Sequence, residues 1–155
     1  MININKFSLG ATAAIITSLG LIAGLAHGDT TKISIITGLL IIAIADNVAD
    51  SLGIHIYKEG EGVCKQEVYL STLGNFIIRL ILAFTFIPMI LWLPSYLALT
   101  VAIIWGLLLL TILSYHIART RKTNPFKEIA WHLMVAILVI IGSKLLGNLI
   151  YKEMI

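Results

Sequence analysis

Long apolar runs separated by short polar segments dominate the chain. Five runs are long enough for a helix to cross the hydrocarbon core of a bilayer, which takes about 20 residues. They cover residues 8–26, 33–57, 74–93, 95–116 and 129–150. None shows the period-two alternation of a membrane β-strand. We therefore predict an all-α membrane protein in which residues 1–155 form one transmembrane domain of five helices, since no linker is long enough to separate two domains.

Composition supports a membrane protein over a soluble enzyme. Hydrophobic residues make up 59% of the chain and charged residues only 12%, whereas ordinary globular chains carry roughly 25% charged residues. The single cysteine, Cys64, excludes an internal disulfide framework. The sequence contains no nucleophile–base pair, phosphate loop or zinc-ligand spacing, and its polar segments are too short to house one. We predict no enzymatic activity, no permanently bound cofactor and no nucleic-acid partner.

The first apolar run has some features of a secretory signal peptide. Lys6 precedes it and the small residues Gly24 and Ala26 end it, as in signal peptides with a small-residue cleavage site. The run is longer than the usual apolar region of such peptides. We therefore predict that it is retained as the first transmembrane helix.

Basic residues sort to one side of a five-helix bundle. One side holds Lys6, Lys58, Lys65, Arg119, Arg121, Lys122 and Lys127; the other holds Lys32, Lys144 and Lys152. Cytoplasmic segments are enriched in lysine and arginine, so we predict a cytoplasmic N-terminus and an external C-terminus. The Arg119–Lys122 cluster is expected to contact lipid headgroups.

The second apolar run carries acidic groups where a bilayer tolerates them least. Asp46 and Asp50 are four residues apart, so they share one helix face. A carboxylate at the bilayer centre costs about 2.5–3.5 kcal/mol on insertion scales, and two ionised neighbours also repel. A cation or a shared proton would compensate. Asn47 adds a carbonyl oxygen, and oxygen ligands suit hard or borderline divalent cations. We predict a metal site formed by Asp46, Asp50 and Asn47.

Three nearby residues have simpler explanations. Arg79 is either a counter-ion for the acids, in a purely structural pair, or a residue that snorkels to the headgroups, and we favour snorkelling. His55 lies on the opposite side of its helix from Asp46 and is expected at the cytoplasmic interface. Met89 follows Pro88 and is expected to serve packing.

Two further patterns are less specific. Small residues recur at spacings of three and four in the first helix and predict a close contact, within the bundle or across a two-fold axis: Gly10, Ala13, Thr17, Gly20 and Gly24. The predicted cytoplasmic loop, residues 58–72, contains Glu59, Glu61 and Glu67, which are either solvated or collect metal ions. Gly60 and Gly62 are expected to interrupt helix there.

The helix order, the charged second helix and four segments resemble the vacuolar iron transporter family, in the form of its short prokaryotic members. The segments are Gly20–Leu25, Ala45–Glu59, Phe86–Leu93 and Val139–Gly147. The resemblance implies a homodimer in a prokaryotic plasma membrane that exports iron(II) or manganese(II), in exchange for protons. It also implies a translocation path along the dimer interface, lined by the first two helices.

Three departures from the family pattern bear on the cargo. Ala13 stands where the family has an acidic residue, Asp46 and Asp50 replace a methionine and a glutamate, and residues 58–72 replace an acidic cytoplasmic domain. Carboxylates alone discriminate poorly between metals. A transporter of magnesium, cobalt or protons alone therefore stays open, as does a non-transporting structural or regulatory membrane subunit.

Overall fold

The computed structural model describes residues 8–26 and 30–154, and all regular secondary structure in those ranges is helical. Five helices are long and apolar enough to cross a membrane, which confirms the predicted number and fits an integral membrane protein. They are α1 (Ser8–Leu25), α2 (Lys32–Gly60), α3 (Lys65–Trp92), α4 (Ser95–Arg121) and α5 (Pro125–Met154).

Short connections make successive helices antiparallel. α2 ends at Gly60, and Gly62 then adopts the left-handed conformation (φ 70°) that glycine tolerates best. α3 begins at Lys65, so the predicted loop 58–72 shrinks to residues 61–64. Its remaining residues are helical because the polar ends of α2 and α3 continue the hydrogen-bonded turns beyond their apolar runs. α4 likewise extends past residue 116, to Arg121, and ends at Lys122, which is left-handed (φ 55°).

One end of the bundle, here called the basic end, contains the start of α1 and the α2–α3 and α4–α5 connections. It holds Lys58, Lys65, Arg119, Arg121, Lys122 and Lys127. Lys6, also assigned to this side from the sequence, lies outside the described residues. At the other end, the Lys32 ammonium donates to the backbone carbonyls of Leu91 and Leu93, which places the start of α2 beside the end of α3.

α1 is the central helix and contacts each of the other four. Its glycines and alanines allow this, because small side chains let neighbouring backbones approach closely. The main apolar core forms around the middle and far half of α1, with Phe86 and Ile90 of α3 and Leu110 of α4 fully buried against it. Met89 packs against this core, as expected from the sequence. α5 is peripheral and mostly exposed.

Candidate functional site

The middle of α2 departs from α-helical geometry immediately before the acids. Residues Ile42–Asp46 form a π-helical turn, in which the amide of Asn47 donates to the carbonyl of Ile42. Such wide turns inside α-helices are frequently found at functional sites. The wide turn changes the direction of the side chains that follow it. Asp46 and Asp50 lie on one outward face, while Asn47 points into the bundle.

Asp46 and Asp50 both bind the guanidinium of Arg79 on α3. One terminal nitrogen of Arg79 donates to Asp46 Oδ2 and the other to Asp50 Oδ2. Arg79 is only 2% exposed, and it lies at the middle of α3. The prediction that this side chain snorkels to the headgroups is therefore wrong. Two carboxylates on one helix face repel each other. A guanidinium between them therefore lowers the electrostatic energy more than it would at the membrane surface.

The two carboxylates are far more exposed than their arginine partner. Asp46 is 41% and Asp50 49% exposed at the side chain. The exposed side of α2 is otherwise apolar around this level and includes Ile41, Ile44, Ala45, Val48, Ala49 and Leu52. If all three groups are ionised, the cluster carries one net negative charge in the middle of an apolar surface. We call Asp46, Asp50 and Arg79 the acid–arginine cluster.

The side chain of Asn47 points away from the two acids. Its side chain is buried and donates from Nδ2 to the backbone carbonyl of Phe76, at 2.8 Å. Its Oδ1 accepts from the Ser51 hydroxyl at 3.4 Å. The predicted three-residue ligand set is therefore not assembled within one protomer. Within residues 8–26 and 30–154, no three histidine, cysteine or acidic side chains come together to hold a metal.

The three glutamates at the basic end do not converge. Glu59 lies 3.8 Å from His55 Nε2, Glu61 accepts from the Tyr57 hydroxyl at 2.7 Å, and Glu67 lies 3.9 Å from the Lys58 ammonium. Each is thus engaged with a local partner. The geometry favours solvated side chains over the metal-collecting cluster that the sequence left open.

His55 and the small-residue stripe serve packing in the protomer. His55 Nδ1 lies 3.3 Å from the Thr72 hydroxyl, within a groove of about 490 Å³ between α2 and α3. In the stripe, a methyl group added to Gly10 would lie 2.0 Å from Asn75 Oδ1, and one added to Gly20 3.0 Å from Val139. Gly24 similarly faces α5. For these three glycines the structure thus shows a close contact within the bundle, which is one of the two alternatives that the sequence left open.

The other two members of the stripe do not build a close contact of their own. Ala13 and Thr17 are half-buried, and the Thr17 hydroxyl donates to the carbonyl of Ala13 at 2.8 Å. Thr17 also lines an open groove of about 590 Å³ between α1, α2 and α5. The Thr17 side chain therefore borders space that the described residues leave unfilled.

A line of buried polar residues between α2 and α3 escaped the sequence analysis. Asn75 Nδ2 donates to the Ser51 hydroxyl at 3.1 Å, and Ser51 donates on to Asn47. Nearer the basic end, the Lys58 ammonium donates to the buried Ser71 hydroxyl at 2.7 Å. A signal was present: polar residues recur every four positions at 71, 75 and 79 and again at 47 and 51, which places each set on one helix face.

No family model matches this chain, and neither a curated protein nor a solved structure does. The resemblance to the vacuolar iron transporter family therefore stays a prediction, based on the segments quoted above.

Proposed function

We propose that this chain is a membrane transporter that exports a divalent cation from the cytoplasm in exchange for protons, and that it works as a homodimer. The acid–arginine cluster is the observation that carries the proposal. Ionisable groups within membrane spans are rare and usually mark ion or proton pathways. Iron(II) and manganese(II) are the leading cargoes, since the family resemblance implies them. The basic end would face the cytoplasm.

The exposure of the acids supports a partner subunit at this face. A carboxylate that faced lipid would cost about 2.5–3.5 kcal/mol, and intramembrane acids almost always face protein or water instead. Asp46 and Asp50 are nevertheless about half exposed in the single protomer. A second copy is the simplest cover, because two-fold dimers are the commonest oligomers. A two-fold axis beside Ala45 and Ala49, whose small side chains permit close approach, would bring both pairs of acids together.

Charge balance in such a dimer favours a divalent cargo. Two protomers contribute four carboxylates and two guanidiniums, which leaves two uncompensated negative charges. One divalent cation carries the matching charge. When the cation leaves, protons on the carboxylates restore neutrality, and the exchange of one for the other is what an antiporter requires. Arg79 holds the acids in place during both halves of the cycle.

A structural role for the cluster is the second candidate, and one observation favours it. The Arg79 guanidinium already binds both carboxylates, so the three side chains could simply tie α2 to α3 in a non-transporting membrane subunit. The two candidates differ in what an isosteric acid-to-amide change would do. If the cluster only joins α2 to α3, the change would lower the stability of the protein without any effect on flux. If the cluster is a transport site, the change would abolish flux.

Flux measurements on proteoliposomes test the function. Iron(II), manganese(II), cobalt(II) and magnesium would each be supplied to vesicles that contain a pH dye, with wild-type protein and the Asp46→Asn and Asp50→Asn variants. We expect metal flux with opposing proton movement, lost in both variants. Glu61→Gln is the matched control, since the Glu61 carboxylate accepts from the Tyr57 hydroxyl at the basic end, away from the cluster. Absence of flux for every metal, from folded wild-type protein, would refute the transporter.

Cross-linking tests the dimer independently. Ala49→Cys in a Cys64→Ser background should form a disulfide-linked dimer in the membrane, because Ala49 lies on the same exposed face as the acids. Leu108→Cys on the exposed side of α4 is the control and should stay monomeric. Equal cross-linking of both variants would contradict an interface at α2.

A further inference from the structure

Buried polar side chains concentrate on one contact of the bundle. Among the described residues, seven polar or charged side chains are buried. Six of them lie where α2, α3 and α1 meet, and we call these six the polar seam: Ser18, Asn47, Ser51, Ser71, Asn75 and Arg79. The seventh, Ser114, lies apart from them on α4, where it bonds to Leu110 and His132. Interhelical hydrogen bonds in bilayers contribute only about 0.6 kcal/mol each on average, so stability alone is a weak explanation for a line of this length.

The seam runs from the basic end to the acids. Ser71, Asn75 and Arg79 follow one another on α3 at intervals of one helical turn, so they span about 12 Å at 1.5 Å per residue. That is a large part of one leaflet of a hydrocarbon core about 30 Å thick. Lys58 marks the outer end, where its ammonium donates to Ser71. Arg79 marks the inner end, where it binds Asp46 and Asp50.

Several atoms of the seam have hydrogen-bonding capacity that the protein does not fill. Asn75 Oδ1, Arg79 Nε and Ser18 Oγ are buried and have no hydrogen-bond partner among the described residues. Buried polar atoms in native proteins are nearly always satisfied, by water where protein groups do not suffice. A void of about 10 Å³ adjoins Ser18, Asn47 and Arg79, which is close to the smallest volume that admits one water molecule.

The spacing of the seam also matches water. Successive polar residues four positions apart are separated by about 6 Å along the helix axis, which is close to the reach of two hydrogen bonds of about 2.8 Å in sequence. One water between each pair would therefore complete a continuous chain from Ser71 past Asn75 to Arg79. The direct bonds Asn75–Ser51 and Ser51–Asn47 hold the two helix faces in register around it.

We propose that the polar seam is a hydrated proton path inside each protomer, which connects the basic end of the bundle with Asp46 and Asp50. A proton that enters from water at the Ser71 end passes along the water chain and ends on a carboxylate oxygen of the acid pair. The guanidinium of Arg79 has no acceptor and relays no proton itself, so the last transfer runs through water beside it to the carboxylates that it binds, where the path ends. Only the coupling of these protons to metal export rests on the proposed function. Hydration of the seam does not, because water can occupy it whether or not the protein carries a metal.

Cysteine accessibility tests hydration without any metal cargo. Ser71→Cys and Ser51→Cys replace one small buried hydroxyl with a thiol, in a Cys64→Ser background. Silver ion is the probe, and protection from a later maleimide label after denaturation is the readout. Ser114→Cys is the matched control, since Ser114 is equally buried but lies outside the seam. Because thiols in apolar surroundings are inert, we expect both seam cysteines to react about tenfold faster, or more, than the control.

The pattern of reactivity decides the proposal. Fast reaction at both positions supports it. Slow reaction at both, equal to that of Ser114→Cys, shows a dry structural network and overturns it. Fast reaction at Ser71→Cys alone shows that water stops one turn inside the basic end, which overturns a path to the acids.

A second measurement covers the possibility that a cysteine variant does not fold. Asn75→Leu keeps the branched shape of the native side chain and removes both its donor and its acceptor. Proton uptake by the purified protein after a pH jump should become slower in this variant, with the final uptake unchanged. The Asp46→Asn/Asp50→Asn double variant, which lacks the acceptors, defines the part of the signal that belongs to the acid pair. An unchanged rate in folded Asn75→Leu would mean that protons reach the acids by another route. Loss of metal flux with a wet seam would refute the transporter and leave this path standing.

Discussion

The acid–arginine cluster predicts that removal of its arginine and removal of one acid have very different costs. In Arg79→Gln the two carboxylates lose the guanidinium that binds them both and stand four residues apart without it. Removal of one partner from a buried ion pair typically costs about 3–5 kcal/mol. The carboxylates here are half exposed, so the lower end of that range applies. We expect the free energy of unfolding to fall by about 3 kcal/mol.

Removal of a single acid should cost little. Asp46→Asn leaves Arg79 paired with Asp50, and the cluster becomes neutral. The change forfeits a charge-assisted hydrogen bond of about 1.5–3 kcal/mol. It also removes an excess charge whose insertion costs about 2.5–3.5 kcal/mol. The two terms nearly cancel, so we expect a net change within about 1 kcal/mol of zero. Asp50→Asn should behave in the same way.

Equilibrium unfolding in mixed micelles, followed by the fluorescence of the three tryptophans, measures these differences. The two acid variants should unfold close to wild type and Arg79→Gln well before it. A cost for Asp46→Asn as large as that for Arg79→Gln would refute the charge argument. It would mean that the wild-type cluster is already neutral, with one proton held between the acids.

Other residues give sharp stability predictions with the same unfolding assay. Gly10→Ala should destabilise the protein because its methyl group would meet Asn75 Oδ1 at 2.0 Å. Gly53→Ala, with no atom within 4 Å, should be neutral or stabilising. Equal effects of the two changes would contradict the close contact between Gly10 and Asn75. Gly62→Ala forces a side chain to φ 70° and should cost roughly 1–2 kcal/mol. Thr31→Ala removes the side chain that accepts from the Ser34 amide at the start of α2 and should cost about 1 kcal/mol; no loss would show that the cap is dispensable.

Apolar run length predicted the helices well because a bilayer demands about 20 apolar residues per crossing. It predicted the polar ends poorly. Residues 65–73 precede the apolar part of α3, so hydropathy treats them as loop, yet their backbone hydrogen bonds are satisfied only by continuing the helix. The short polar connection, residues 61–64, follows from the left-handed glycine at its centre.

The sequence predicted one part of the candidate site, the part that depends on spacing within a single helix. A four-residue spacing placed Asp46 and Asp50 on one face correctly, because that rule is local to one helix. Asn47 lies one residue after Asp46, about 100° around the helix, and its amide binds the Phe76 carbonyl of α3, a partner that no rule local to α2 reveals. The position of Arg79 depended on which face of α3 meets α2, and a single charged residue cannot reveal that without its partner helix.

The cross-links between α2 and α3 limit how the molecule can move. Lys32 ties the two helices at one end, Arg79 in the middle, and the bond from Lys58 to Ser71 near the other. Three anchors along one contact make the pair a rigid body, while α1 meets the pair with small residues that present few ridges, Gly10 among them. We expect any change of exposure to be a shear of the α2–α3 pair across α1. Spin-label distances within the pair should then stay fixed while those from α1 to α2 change. A transport cycle would then move the α2–α3 surface along α1 without breaking the polar contacts that hold the acids in place.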